Sequence, residues 1–189
     1  MAQSADKLTT REFLELVDQY RDELFRYILR QAWDSQVAED VFASAVLSAF
    51  ENRHKFQPGT NFRAWMYRII TNKVFVANRH TGRRFDSLDE AGAERVPEPE
   101  RKPEFDVVGD PNTVLEEVSD EVLAAMHKLS DNERACILLR GVEGFSYKEI
   151  AEILEMPTGT VMTHLSRGRA KLRKELGEYA RASGILKTG

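Results

Sequence analysis

The chain has 189 residues, 42% of them hydrophobic, and a net charge of −4, which allows one ordinary globular domain or two small ones and excludes a disordered or collagen-like polypeptide. Cys136 is its single cysteine, so internal disulfides and multi-cysteine zinc sites are excluded. No apolar run has the length of a bilayer-spanning helix, and residues 1–8 lack the charged and apolar parts of a signal peptide, so a cytoplasmic location is expected.

Thr9 and Glu12 have the spacing in which a hydroxyl and a carboxylate satisfy backbone N–H groups at a helix start. Phe13, Leu16, Val17, Tyr20, Leu24, Tyr27, Ile28 and Gln31 follow at helical intervals and predict a first helix of about six turns. Asp34 or Ser35 is placed to cap a second helix, in which Val37, Val41, Ala45, Val46 and Ala49 make an apolar stripe flanked by Phe42 and Phe50. Residues 1–51 carry ten acidic and five basic side chains, a balance that suits a basic protein surface better than nucleic acid.

The charge then reverses. Residues 52–85 contain no acid and eight basic side chains, a sign-pure electrostatic footprint. Within it the turn-rich Gln57-Pro58-Gly59-Thr60-Asn61 precedes a helix predicted from Phe62, with Trp65, Met66, Ile69 and Ile70 available to a core. Phe62, Trp65, Tyr67, Asn72 and Asn78 are of the types that stack on unpaired bases or hydrogen-bond to them. For Trp65 taken alone, a place in the core is the stronger reading. Residues 86–110 contain three prolines, nine acidic and three basic side chains without periodicity, and read as a linker that avoids DNA or imitates it.

A helix is expected over 112–129, and capping-box pairs at Ser130/Glu133 and Ser146/Glu149 mark two more helix starts. Ile150, Ala151, Ile153 and Leu154 share one helical face, Pro157 and Gly159 interrupt it for about one turn, and Val161, Leu165 and Leu172 resume it. This is the pattern of a helix-turn-helix, whose second helix enters a DNA major groove. Arg167, Arg169, Lys171, Arg173 and Lys174 bring five positive charges with no acid among them, which suits a phosphate backbone; the plainer alternative is a solvated basic helix packed on its neighbours. Cys136, between Ala135 and Ile137, reads as a buried, inert thiol. His54, His80, His127 and His164 have no ligand spacing and the basic stretches hold no clustered carboxylates, so no catalytic residue, metal site, cofactor or enzymatic activity is expected. The expected fold is all-α: two small helical domains at 10–84 and 113–177, an acidic linker at 85–112 and a tail at 178–189.

The segments FQPGTNFRAWMYRIITNKVFVANRH and FSYKEIAEILEMPTGTVMTHLSRGRAKLR resemble regions two and four of the extracytoplasmic-function (ECF) sigma factors of bacterial RNA polymerase, and the resemblance covers residues 10–177. Two motifs in the right order with a suitable gap make it specific, whereas a helix-turn-helix alone is shared by many regulators. The resemblance implies a subunit that binds core polymerase and directs promoter-specific initiation. It implies that Glu39 and Asp40 meet the clamp helices of the β′ subunit, and that region four meets the β flap. At the minus-10 element it implies a loop at 56–61 that holds a flipped base and a helix at 62–80 along the unpaired strand, with Asn61, Phe62, Arg63, Trp65, Arg68, Asn72, Lys73 and Arg79 as contacts. At the minus-35 duplex it implies Thr160, Met162, Thr163, His164 and Arg167 toward the bases and Arg169 or Lys171 near phosphate. It also implies an anti-sigma factor as partner, no membrane insertion and association with the nucleoid, and it sends the acidic linker toward the RNA exit path.

The chain departs from the family pattern where Ala43 and Ser44 replace a glutamine and an acid, and where Met162 and His164 stand in place of basic residues. The minus-35 preference therefore does not carry over. Two other readings stand beside this one: a stand-alone helix-turn-helix regulator using only the C-terminal helices, and a partner-sequestering homologue without promoter activity, which Ala43, Ser44 and Met162 keep open.

Overall fold

Three of the described helices begin at a capping box followed by an apolar face to bury. The computed structural model describes residues 8–32, 37–57, 59–80 and 120–182; the cap expected at Asp34 or Ser35, the linker and the beginning of the helix expected over 112–129 lie outside them. Helix α1, Thr10–Gln31, starts at Thr9 with the expected capping box: Thr9 N–H donates to Glu12 Oε2 at 2.9 Å, and Glu12 N–H donates to Thr9 Oγ1 at 3.3 Å. Its buried residues Phe13, Val17, Leu24, Tyr27 and Ile28 lie along one stripe.

Helix α2, Ala38–Glu51, turns Val41, Ala45 and Ala49 inward, and a 3-10 turn at Arg53–Lys55 leads to helix α3, Phe62–His80. The three helices pack on one another, with Phe13 edge-on to Phe50 and Phe62 at 5.6 and 6.0 Å between ring centroids. Between α2 and α3 the chain reverses at Gly59, whose φ of 85° favours a residue without Cβ.

The C-terminal half holds α4 (Asp120–Met126), α5 (Asp131–Gly141), α6 (Tyr147–Ile153) and α7 (Thr158–Ala182). Ser130 and Ser146 cap α5 and α6 with complete capping boxes, so both hydroxyl–carboxylate pairs act as their spacing predicts. After α6 the turn closes through Met156 N–H donating to the Ala151 carbonyl at 3.0 Å, with Glu155 in the left-handed region at φ 53°. That closure usually places glycine at the left-handed position. Helix α7 crosses α5 at Gly168, where a Cβ would lie 3.1 Å from Ile137 Cγ1.

Among the described residues there is no strand, and the fold is all-α. The buried side chains of both halves join in one cluster, with α1 against α5 and α3 against α6. Cys136 is fully buried, and its thiol is pushed up to about 12 by burial and then by the nearby Glu133 carboxylate, which leaves it protonated and unreactive at neutral pH. No helix among the described residues is long and apolar enough to cross a membrane.

Phe13 anchors the aromatic cluster at 0% exposure. Phe13→Ala is expected to cost about 3–5 kcal/mol in denaturant unfolding, enough to unravel the N-terminal helices first; a loss below about 1 kcal/mol would show that the site collapses without a cavity.

Candidate nucleic-acid interface

Helix α3 separates its basic side chains by face. Asn61 starts it, its Oδ1 accepting from Ala64 N–H at 3.1 Å. Phe62 and Tyr67 point into the core, so Phe62, expected as a base contact, is instead packed among Phe13, Phe56 and Tyr20. Tyr67 and Asn78 are likewise buried. Trp65, Arg68, Asn72 and Arg79 recur at helical spacing on the opposite, outward side. Trp65 is half-buried against Phe56 and Phe62, with centroids 5.3 and 5.7 Å apart; the core reading and the surface reading each describe one side of its ring.

Beside that ring lies a concavity of about 360 Å3 lined by Ser48, Asn52, Lys55, Trp65, Arg68, Ile69 and Asn72. An aromatic wall, two amides and two cations in one hollow match the demands of an unpaired base with its phosphate. Lys73 is half-buried beside this face, while Arg79 extends it into solvent. Arg63 points away from it toward the C-terminal half.

On α7 the buried Val161, Leu165 and Gly168 fix the inward face. Thr160, Thr163, His164, Arg167 and Lys171 run along one flank of the helix, half-exposed, and Met162 and Arg169 lie on the other. Thr163 Oγ1 donates to the Gly159 carbonyl at 3.0 Å, and Lys171 Nζ donates to Glu133 Oε2 at 2.9 Å. Between the flanks, Ser166, Arg173 and Lys174 are exposed. Ser166 has no signal in the sequence because a lone serine carries no pattern; the burial of its neighbours is what turns it outward.

Helix α2 has no side-chain cap, and its first turn carries Glu39 and Asp40, both exposed, at the positive end of the helix dipole. Ala43, Ser44 and Leu47 continue the same outward face, and Leu47 is 59% exposed.

Both cationic faces fall within segments shared with known proteins. A family model for sigma-70 region 2 matches residues 16–84, and one for sigma-70, region 4 matches residues 119–172. The chain is 31% identical over 166 residues to the ECF RNA polymerase sigma factor SigW of Bacillus subtilis, across 87% of this chain and 88% of SigW. The chain belongs to the ECF RNA polymerase sigma factors. It is also 32% identical over 178 residues to the ECF sigma factor SigE of Mycolicibacterium smegmatis, across 94% of this chain and 66% of SigE. Two solved structures share the fold of this sigma factor at 24% identity: RpoE in complex with the anti-sigma factor NepR from Bartonella quintana, with a TM-score of 0.65 over 89% of this chain and 98% of that one, and CnrH in complex with the cytosolic domain of CnrY, with a TM-score of 0.63 over 90% of each chain. Family membership sets the stand-alone regulator aside, because a region 2 is present beside the helix-turn-helix.

In this ECF sigma factor the two regions are joined by polar contacts that no local sequence signal announced. Arg63 donates from Nη2 to the Glu143 carbonyl at 2.9 Å and to Glu143 Oε2 at 3.2 Å, from Nε to Glu23, and lies 4.3 Å above the Phe145 ring. The Tyr67 hydroxyl meets both Glu23 Oε1, at 2.8 Å, and Glu143. Burial raises the Glu143 carboxyl above its ordinary range, against the lowering influence of Tyr67, Arg63 and Arg30. One phenolic proton cannot serve two carboxylates at once, so the Tyr67 hydroxyl donates to one of Glu23 and Glu143 at a time. For Arg63, burial opposes the charge but the hydrogen bond and charge of Glu23 outweigh it, so Glu23 is the principal counterion.

A second joint lies nearby. Arg134, fully buried, donates to the Gln31 carbonyl at 2.7 Å, and burial holds its guanidinium down to about 10 against the pull of Asp131. A cation on the last carbonyl of α1 satisfies a helix end that has no partner inside its own helix. Asn78 donates to Asp131 Oδ1 at 2.7 Å, and Gln31 Nε2 donates to the Asp131 carbonyl at 3.0 Å.

Of the α7 cations, Lys171 is tied to the buried Glu133, whose side chain is only 5% exposed. Lys171→Met is expected to lower unfolding stability by about 1 kcal/mol and to alter duplex binding less than Lys174→Ala, which removes an exposed surface charge. A larger loss of duplex affinity for Lys171→Met in a gel-shift titration would place its ammonium on DNA instead.

Proposed function

We propose that this ECF sigma factor binds core RNA polymerase through the outward face of α2, captures unpaired minus-10 bases with the outward face of α3, and reads the minus-35 duplex with α7. The observation that carries this reading is the pairing of two separate cationic helix faces in one chain, one beside an aromatic-walled hollow and one following a helix-turn-helix turn. Base capture needs stacking surface and nearby cations, which Trp65, Asn72, Arg68 and Lys55 supply; duplex reading needs a helix presented to a groove, which α7 supplies. The work is divided between a polymerase- and minus-10-binding domain at 10–84 and a minus-35-binding domain at 113–177, with 85–112 as an acidic tether and 178–189 as a tail.

In this division Asn61, Trp65, Arg68, Asn72, Lys73 and Arg79 serve the minus-10 strand, Phe62 acting from the core by seating Trp65, while Arg63, expected among these contacts, faces the C-terminal half instead. Thr160, Met162, Thr163, His164, Arg167 and Arg169 serve the minus-35 duplex, with Lys171 between structure and phosphate. Glu39 and Asp40, with Leu47 between them and Glu51, meet the β′ clamp helices, and region four meets the β flap. An anti-sigma factor is the expected antagonist, and the protein works in the cytoplasm at the nucleoid. It acts by binding, without a cofactor.

The polymerase assignment is tested by pull-down with purified core enzyme. Asp40→Lys and Leu47→Glu are each expected to weaken core binding by at least about tenfold, which corresponds to about 1.4 kcal/mol, with the helical circular dichroism unchanged because both side chains are exposed. Unaltered affinity in both variants would move the polymerase contact off α2.

A further inference from the structure

The first turns of α7 lack the side chains that ordinarily tell one base pair from another. Along Thr158–Ala182 there is no asparagine or glutamine, no acid precedes Glu175, and no lysine or arginine precedes Arg167. In a major groove an adenine edge is held by an amide, a cytosine amine by a carboxylate, and a guanine by an arginine or lysine. The N-terminal turns of a recognition helix are the ones that meet base edges, and here they offer none of these groups. Turned away from the buried Val161 and Leu165, they present Thr160, Met162, Thr163 and His164.

Two of these side chains bring methyl groups to the surface. Met162 is 39% exposed, in a residue type that is most often buried. Thr163 has its hydroxyl engaged within the helix, Oγ1 donating to the Gly159 carbonyl at 3.0 Å, so its γ-methyl is the group it offers outward. We propose that Met162 and Thr163 read the minus-35 duplex through the C5-methyl groups of thymine, so that the base pairs facing them are specified as A·T by apolar contact rather than by hydrogen bonds. The inference rests on the assignment of α7 to the minus-35 duplex.

The surroundings of Met162 suit nucleic acid better than an apolar protein patch. Arg169 and Arg173 follow it about two and three turns further along the same side of the helix. A flank that carries an apolar tip at its N-terminal end and cations beyond it can set the tip against base edges and the cations against phosphates. The thymine methyl is the apolar feature of the major-groove edge. A cytosine in its place would turn an amine toward apolar atoms and leave that amine without an acceptor, which disfavours it. Thioether and threonine methyl therefore discriminate in both directions, by contact with thymine and by an unpaired donor on cytosine.

The test uses holoenzyme assembled from the full chain and core polymerase. It selects duplexes from a randomised pool, and the upstream of the two enriched elements serves as the minus-35 probe. Each thymine of that element, on either strand, is replaced in turn by deoxyuridine, which lacks only the C5-methyl group. At one or more positions the replacement is expected to weaken binding about fourfold, the effect of one buried methyl group. Met162→Ala is expected to weaken binding to the thymine duplex and to erase the difference between thymine and deoxyuridine at one position. Thr163→Ser, which keeps the hydroxyl and removes the methyl, is expected to erase it at a second. Neither side chain is buried, so the helical circular dichroism is expected to stay unchanged.

Deoxyuridine effects below about twofold at every thymine, effects that persist undiminished in both variants, or an upstream element without an A·T pair would each overturn methyl readout while leaving α7 on the duplex. Enrichment of no upstream element would overturn the minus-35 assignment itself, and the inference with it.

Discussion

The arrangement of the molecule depends on a carboxylate that has been taken out of water. Glu143 is 8% exposed, and a buried acid is tolerated only where cations and hydrogen-bond donors surround it. Arg63 and Tyr67 of α3 and Arg30 of α1 are those partners, and they can all reach it only when the N-terminal helices stand in one position against the turn between α5 and α6. Ion clusters of this kind add little to stability over a well-packed apolar joint, but removing one partner leaves buried charge uncompensated and is strongly destabilising. The neighbouring joint, in which Arg134 and Asn78 meet the last carbonyl of α1 and the first-turn acid of α5, repeats that logic with helix ends.

From this constraint follows a division between inner and outer faces. Capping boxes start α1, α5 and α6, and the apolar stripes that follow are committed to the shared core. What remains outside are the exposed faces to which binding is proposed: the acidic face of α2 with Leu47, the Trp65–Arg68–Asn72 face of α3, and the Ser166–Arg173–Lys174 strip of α7. Each surface is displayed by a helix whose opposite side is fixed, so its side chains are positioned before any partner arrives, and this lowers the cost of binding. Arg63 and Tyr67 meet the C-terminal half on the inner side of α3 and Arg68 meets it at the rim of the outward face, which makes this helix the joint between the two regions.

The helical periods, the three capping boxes and the break at Pro157 were legible in the sequence because each is a local pattern that a helix reads within four residues. The resemblance carried by the two quoted segments agrees with the family shown by the relatives. The interface residues were less legible. Phe62 and Tyr67 have the composition of base-stacking residues, yet helical phase sends them inward, and only packing against α1 fixes that phase. Glu143 and Arg134 lay beyond reach of sequence reasoning for a different reason: their partners are 80 and 103 residues away in the chain, and a lone acid between Val142 and Gly144 has no pattern to betray it. Lys171 reads as one cation among five until its bond to Glu133 separates it from Arg173 and Lys174.

The most direct test of sigma activity is transcription in vitro by purified core polymerase, with and without the protein, on a pool of promoter fragments from the source genome. Transcripts are expected from a small subset of fragments and only when the protein is present, with start sites that share one sequence element near minus 10 and another near minus 35. Duplex binding by the protein with no protein-dependent transcript on any fragment would contradict the division of labour among α2, α3 and α7.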